Sequence, residues 1–374
     1  MKLTRRQVLG SAGLAASGAL LAAGPLGSAL AGTRGDRAAP RQPLASSGSA
    51  ASLFRDALIW DDHSGFDPRP DFDLEHLEDW TRAGVNYLSI NVGYDVIDWQ
   101  LAVRNLASYI AWLEKRPDRF ALVRHASDIL EAKRSGKLAV TFDLEGMGAL
   151  NGEAAMVSLY YRLGVRQMLI AYNRNNLAGG GCHDEDHGLT DFGRGVIAEM
   201  NRVGMMVDCS HTGHRTTMEV MEMATHPVIF SHSNPKGLRA HGRNIADDQI
   251  RACARTGGVI GVNGIGLFLA DRNATTAAMV DCIEYIRNLV GADHVGIGLD
   301  YSPPSLDEAL SDQLASHEDY WPASEYAGQG PSHDASPSQI RDIATMLLAR
   351  GWSDPDARKV LGGNFLRVAH AIWK

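Results

Sequence analysis

Met205-Met206-Val207-Asp208-Cys209-Ser210-His211 and Pro227-Val228-Ile229-Phe230-Ser231-His232-Ser233 share one pattern, a short apolar run that turns polar and delivers a histidine. Between them, Thr216–Ala224 returns apolar residues every three or four positions, the spacing of an amphipathic helix. Strand, helix and strand in that order form the unit of a parallel sheet. Working outward, similar β-rich runs recur at Leu58–Asp62, Val85–Asn91, Leu138–Asp143, Arg166–Ala171, Val259–Val262 and His294–Gly298, with helical spacing again at Gly193–Arg202. Eight such units predict a (β/α)8 barrel of the TIM type. An open doubly wound sheet is the alternative, weakened because no Gly-x-Gly-x-x-Gly follows an early strand.

The ends of these runs carry the chemistry. In order they deliver His63, Asn91, Glu145, Tyr172-Asn173, His211, His232, Asn263 and Asp300. A barrel gathers the C-terminal ends of its strands on one face, where its active sites form. A lone histidine after a strand is more often a hydrogen-bonded structural residue, but a set of them in the same relative place points to a metal site. Imidazoles with a carboxylate favour zinc, although cobalt, manganese or iron suit the same donors. Such ions lower the pKa of bound water and polarise a carbonyl, which points to hydrolysis of an amide or a related bond. No Gly-x-Ser-x-Gly offers a serine nucleophile.

The 374 residues suffice for one large domain. The formal charge of -8 becomes more negative once Lys2, Arg5 and Arg6 are removed with a leader, and argues against nucleic acid as a partner. Cys182, Cys209, Cys253 and Cys282 are too few and too scattered for a disulfide framework, so four separate thiols are expected. Residues 1–31 have a basic start, an apolar stretch and Ala29-Leu30-Ala31 as a cleavage site, and Thr4-Arg5-Arg6-Gln7-Val8-Leu9 resembles a twin-arginine export signal. An ordinary secretory leader is the other reading; either predicts an exported protein, periplasmic or extracellular, without stable membrane insertion. Residues 32–52 read as a flexible linker, leaving 53–374 as a single catalytic barrel domain.

Several motifs go further. Asp208-Cys209-Ser210-His211, the run Pro227–Ser233, Arg243-Asn244-Ile245-Ala246-Asp247-Asp248, Gly188–Gly193, Gly296-Ile297-Gly298-Leu299-Asp300 and Leu361–Arg367 resemble the membrane (renal) dipeptidase family over about Asp56 to the C-terminus. The resemblance implies a metal-dependent hydrolase barrel that cleaves dipeptides, often as a homodimer. It implies that Glu145 bridges two zinc ions, that His211 and His232 complete the second site, and that His63 holds the first. It further implies that Arg243 binds the substrate carboxylate, and that Asp300 holds the substrate amine and passes a proton to the departing nitrogen. Hydrolysis of another small amide, such as an N-acyl amino acid or a β-lactam, is the alternative activity; a binding protein with a degraded metal site is the alternative class.

The chain departs from that pattern in three places. The family's first motif is His-x-Asp, whereas this chain reads His63-Ser64-Gly65, and glycine supplies no ligand. Asp62 or Asp67 could reach in, water could fill the gap, or the centre could hold one zinc instead of two. Tyr172 stands where the family has a histidine that steadies the oxyanion; a phenol can donate there too. After Asp300 a long polar stretch runs to about Pro337, and its Tyr320, Trp321 and Tyr326 are expected to close over the substrate.

Overall fold

The computed structural model describes residues 47–66, 69–303, 317–327 and 329–374. The leader and most of the expected linker lie outside these residues. A helix over Ser47–Asp56 already starts inside the segment read as linker, because Ala50, Leu53 and Phe54 form a buried face along it.

Among the described residues, nine strands form one sheet. They are β1 (Trp60–Ser64), β2 (Tyr87–Tyr94), β3 (Phe120–Leu122), β4 (Leu138–Glu145), β5 (Val165–Leu169), β6 (Met206–Asp208), β7 (Val228–Phe230), β8 (Val259–Val262) and β9 (Val295–Ile297). All pairings are parallel, in the order β1-β2-β4-β5-β6-β7-β8-β9. Every expected run falls on one of these eight, and the helices Asp191–Val203 and His214–Met223 cover the expected helical segments. The reading missed β3, whose three residues pair with the first half of β4 and are too few to show an alternation.

The ends of the sheet meet, which excludes the open arrangement. Asp300 N–H donates to His63 O at 3.1 Å and Gly65 N–H donates to Tyr301 O at 3.1 Å. Below that seam Asp61 accepts from Leu299 N–H at 2.8 Å and from the Trp80 indole at 2.7 Å. The result is a nearly closed eight-stranded barrel with β3 as an extra strand beside β4.

The barrel has a sealed end and a chemical end. Trp60 and Tyr87, at the starts of their strands, stack with centroids 3.6 Å apart, and Phe365 lies 5.9 Å from Trp60. The C-terminal helix Asn364–Ile372 thereby plugs the N-terminal end with Phe365, Val368 and Ile372. Toward the other end the interior turns polar, with Asp62, Thr141, Asp143, Gln167 and Asp208 fully buried. Such groups must be hydrogen-bonded to be tolerated. Tyr87 Oη and Thr141 Oγ1 lie 2.5 Å apart, Gln167 Nε2 donates to Asp62 O at 2.9 Å, and Asp208 accepts from the backbone of Ser210 and Ser231. Two glycines let the chain after β7 pass close to its neighbours. A Cβ on Gly261 or Gly298 would fall 2.0 or 1.9 Å from Ser231 O, the carbonyl preceding His232.

Candidate metal centre

The polar mouth is built where the strands end. His63 sits within β1 and Glu145 is the last residue of β4; Tyr172 and Asn173 follow β5, and His211, His232 and Asp300 follow β6, β7 and β9. His63 and His232 are fully buried, and Glu145, Asp300, His211, Tyr172 and Arg243 are nearly so. Of the five non-glycine residues with positive φ among the described residues, three, namely Asn173 (60°), His211 (61°) and Asp300 (58°), lie here. Each such conformation costs roughly 1–3 kcal/mol and persists where surrounding structure enforces it, as at functional sites.

The three imidazoles turn their Nε2 atoms toward one carboxylate. Glu145 Oε1 lies 3.1 Å from His211 Nε2, 3.4 Å from His232 Nε2 and 3.5 Å from His63 Nε2. His63, Glu145 and His232 offer ligand atoms all within 4.8 Å of one another. Donors bound to a tetrahedral ion at about 2.0–2.2 Å stand about 3.3–3.6 Å apart, from the edge-to-radius ratio of a tetrahedron. The His63 and His232 separations from Glu145 match such edges and exceed the usual 2.7–3.2 Å hydrogen-bond range, whereas His211 Nε2 lies within that range of both Glu145 Oε1, at 3.1 Å, and His232 Nε2, at 2.9 Å. His63 Nε2 is buried and makes no hydrogen bond.

The opposite ring nitrogens are held as a metal centre requires. His211 Nδ1 lies 2.7 Å from Asn173 Oδ1, while Asn173 Nδ2 donates to Tyr320 O at 2.9 Å. That second bond fixes the amide orientation, so Asn173 presents an acceptor and His211 keeps its Nε2 lone pair free of hydrogen. His232 Nδ1 lies 2.7 Å from Ser231 Oγ, and His63 Nδ1 lies 3.2 Å from Asp143 Oδ1. Asp143 in turn accepts from Ser89 Oγ at 2.6 Å and Asn91 Nδ2 at 3.1 Å. Asp143 and Ser231 were missed by the sequence reading. The signal for Asp143 is strand alternation, which sends residues 143 and 145 of β4 to the same interior face.

The electrostatics suit a cation. Burial, with Arg243 and His232 nearby, holds His211 well below the ordinary imidazole range, which favours the neutral form that binds metals. Burial opposes a proton on His63, but the Asp143 and Glu145 carboxylates outweigh it and hold the group well above that range. A bound divalent ion would answer the same negative field. Burial pushes the Cys182 thiol up to about 12, and all four cysteines are free, as expected.

The remaining site residues take distinct places. Asp62 does not replace the missing ligand: its Oδ1 accepts from the Trp60 indole at 2.7 Å, and burial holds its carboxyl well above the usual range. Asp67 lies outside the described residues. Tyr172 stacks on His211 with centroids 4.3 Å apart, and its N–H is held by Asp95 Oδ2 at 3.0 Å. Asp95 also accepts from Gly148 N–H and Asn176 Nδ2, tying the loops after β4 and β5 together. Arg243 donates from Nη2 to His232 O at 3.0 Å and lies over the Phe268 ring. Beside it is a cavity of about 100 Å³ lined by His211, Lys236, Arg243 and Asn244 among others. Trp321 and Tyr326 are buried in one cluster with Tyr94, Tyr172 and Phe268. His183 Nε2 meets Tyr326 Oη at 3.0 Å and helps to seat that side chain.

Residues 67–315 match the model of the membrane dipeptidase family, peptidase family M19. Dipeptidase tcpJ of Claviceps purpurea is 30% identical over 267 residues, covering 70% of this chain and 57% of that protein. Dipeptidase verJ of Clonostachys rogersoniana is 30% identical over 263 residues, covering 70% of this chain and 62% of that protein. The matched region therefore spans about three-fifths of the length of these curated relatives. Among solved structures, an amidohydrolase from Pseudomonas aeruginosa superposes with a TM-score of 0.79 at 30% identity, covering 87% of this chain and 99% of that one. A metallo peptidase from Rhodobacter sphaeroides, liganded with a phosphinate mimic of L-Ala-D-Ala, shares the fold with a TM-score of 0.69 at 19% identity, covering 85% of this chain and 100% of that one.

Proposed function

Because this chain belongs to the membrane dipeptidase family, peptidase family M19, we propose that it is a zinc-dependent hydrolase of dipeptides. The observation that carries this reading is the convergence of three imidazole Nε2 atoms on Glu145 Oε1 at 3.1–3.5 Å, each with its opposite nitrogen facing a polar partner. His63, Glu145, His211 and His232 would hold the metal. When bound, it supplies hydroxide near neutral pH and polarises the amide carbonyl.

The chain's own residues do the rest. Arg243 borders the cavity beside His211, where a guanidinium fork can take the substrate carboxylate. Tyr172, stacked on His211, would donate its phenol to the developing oxyanion. Asp300 holds the substrate amine and passes a proton to the departing nitrogen. Trp321 and Tyr326 exclude water from the mouth. The twin-arginine-like leader supports export of the folded, metal-loaded enzyme, where small peptides with D-residues are available.

A panel of L,L- and L,D-dipeptides on zinc-loaded protein tests the reading. Cleavage that Glu145→Gln abolishes is the expected result. Absence of cleavage across the panel, or undiminished turnover in the Glu145→Gln variant, would refute it.

A further inference from the structure

Gly65 leaves His63 without the carboxylate that completes a first metal site in the His-x-Asp pattern. The fold brings another carboxylate to the same imidazole from the far end of the chain. Asp300 Oδ1 lies 3.5 Å from His63 Nε2, the same separation as Glu145 Oε1 from that nitrogen. Both distances match the edge of a coordination polyhedron and exceed the usual 2.7–3.2 Å range of an N–H···O bond. We propose that Asp300 supplies the ligand that Gly65 lacks, so that a first divalent ion is held by His63 Nε2, Glu145 and Asp300 Oδ1. A second ion would be held by Glu145, His211 and His232.

Two features support this placement independently of the distances. The His63 and Asp300 backbones are joined across the barrel seam by the Asp300 N–H bond to His63 O, so the two side chains are set relative to each other by the closure itself. Asp300 is also locked as a ligand is locked: its backbone is held at φ 58°, and Oδ2 accepts from Asn263 Nδ2 at 3.1 Å. That bond fixes the carboxylate rotation with Oδ1 toward His63. The local pair of the family pattern, two residues apart on one strand, is thereby replaced by a pair drawn from β1 and the end of β9. Oδ2 remains available to the substrate amine, so the ligand role is compatible with proton transfer by the same group.

The inference rests on the metal-dependent reading above, and its test counts metal instead of turnover. Wild-type protein is loaded with zinc, dialysed, and measured for zinc per chain and for affinity by chelator competition. The wild type is expected to hold two zinc ions. Asp300→Asn is expected to hold one, Asp300→Asn with Gly65→Asp to recover the second, and Asp67→Asn to keep both. A direct measurement needs no variant: anomalous diffraction at the zinc edge from loaded wild-type crystals should place an ion about 2.0–2.2 Å from Asp300 Oδ1 and from His63 Nε2. Two zinc ions of unchanged affinity in Asp300→Asn, loss of one in Asp67→Asn, or fewer than two in the wild type would each overturn the assignment. So would water in place of Asp300 around the first ion. Dipeptide cleavage by a one-zinc enzyme would sink this inference and leave the proposed function standing. Two ions so held without cleavage would do the reverse.

Discussion

Replacing Asn173 by Gly should loosen the metal without touching a ligand. Asn173 Oδ1 accepts from His211 Nδ1 at 2.7 Å, and His211 is only 6% exposed, so water cannot readily replace the lost acceptor. An unsatisfied buried donor costs about 1–3 kcal/mol, and ten-fold in affinity corresponds to about 1.4 kcal/mol. The loss in zinc affinity is therefore about 5- to 150-fold if the penalty falls on the bound state, in line with the roughly 10–100-fold effect of removing such partners. Glycine is chosen over alanine because position 173 has φ 60°, a region that glycine adopts freely and asparagine tolerates through its short polar side chain, whereas alanine has neither advantage. Asn173→Asp is the control: it keeps an acceptor for His211 while exchanging the donation to Tyr320 O for a buried negative charge, so its effect on stability is read separately from its zinc affinity. The assay is chelator-competition titration of zinc on all three proteins, with thermal unfolding to confirm the fold. Asn173→Asp should stay close to wild type. If Asn173→Gly binds zinc as tightly as wild type, or Asn173→Asp falls equally far, the argument from second-layer orientation is wrong.

Tyr172→Phe keeps the ring on His211 but removes the hydroxyl; kcat on a dipeptide should fall about 10²–10³-fold at unchanged zinc content, and an unchanged kcat would remove the phenol from the mechanism. Asp95→Asn sets an amide among N–H donors from Tyr172, Gly148 and Asn176, so thermal unfolding should show a loss of about 1–3 kcal/mol; a neutral effect would show that Asp95 does not tie these loops. The Arg202 guanidinium holds the Glu199 carboxyl down at about 2 against an ordinary 4.5. A depressed acid stabilises above its unfolded pKa and loses that contribution as pH falls through its folded one. Glu199→Gln should therefore cost no more than about 1 kcal/mol at pH 7, because Arg202 is largely exposed and the pair is screened by solvent, and the difference should shrink as pH falls toward 2 and vanish below it in denaturant titrations.

The alternation of apolar runs with helical spacing was enough to call the barrel, because each strand must bury both faces and each helix one stripe. The residues closing those runs were legible for the same reason: a parallel barrel sends every strand end to one face, so Glu145, His211, His232 and Asp300 had to share a mouth. The local helices around the motifs were equally readable. β3 was not, since three residues carry no periodicity. Nor were Asp143 and Ser231 as orienting partners, because a serine beside a histidine or an acid two positions before a glutamate is common and becomes informative only when distances are known.

What tertiary structure decided is everything that depends on closure. The sequence showed that Gly65 offers no ligand, and proposed Asp62 or Asp67 by proximity along the chain. Asp62 gives one carboxylate oxygen to the Trp60 indole, while among the described residues the carboxylate nearest in space to His63 Nε2, apart from Glu145, arrives from residue 300. That contact exists only because β1 and β9 meet at the seam. Strand order along a chain fixes which residues reach the mouth; which of them touch depends on the angle at which the sheet closes, and no local pattern encodes that.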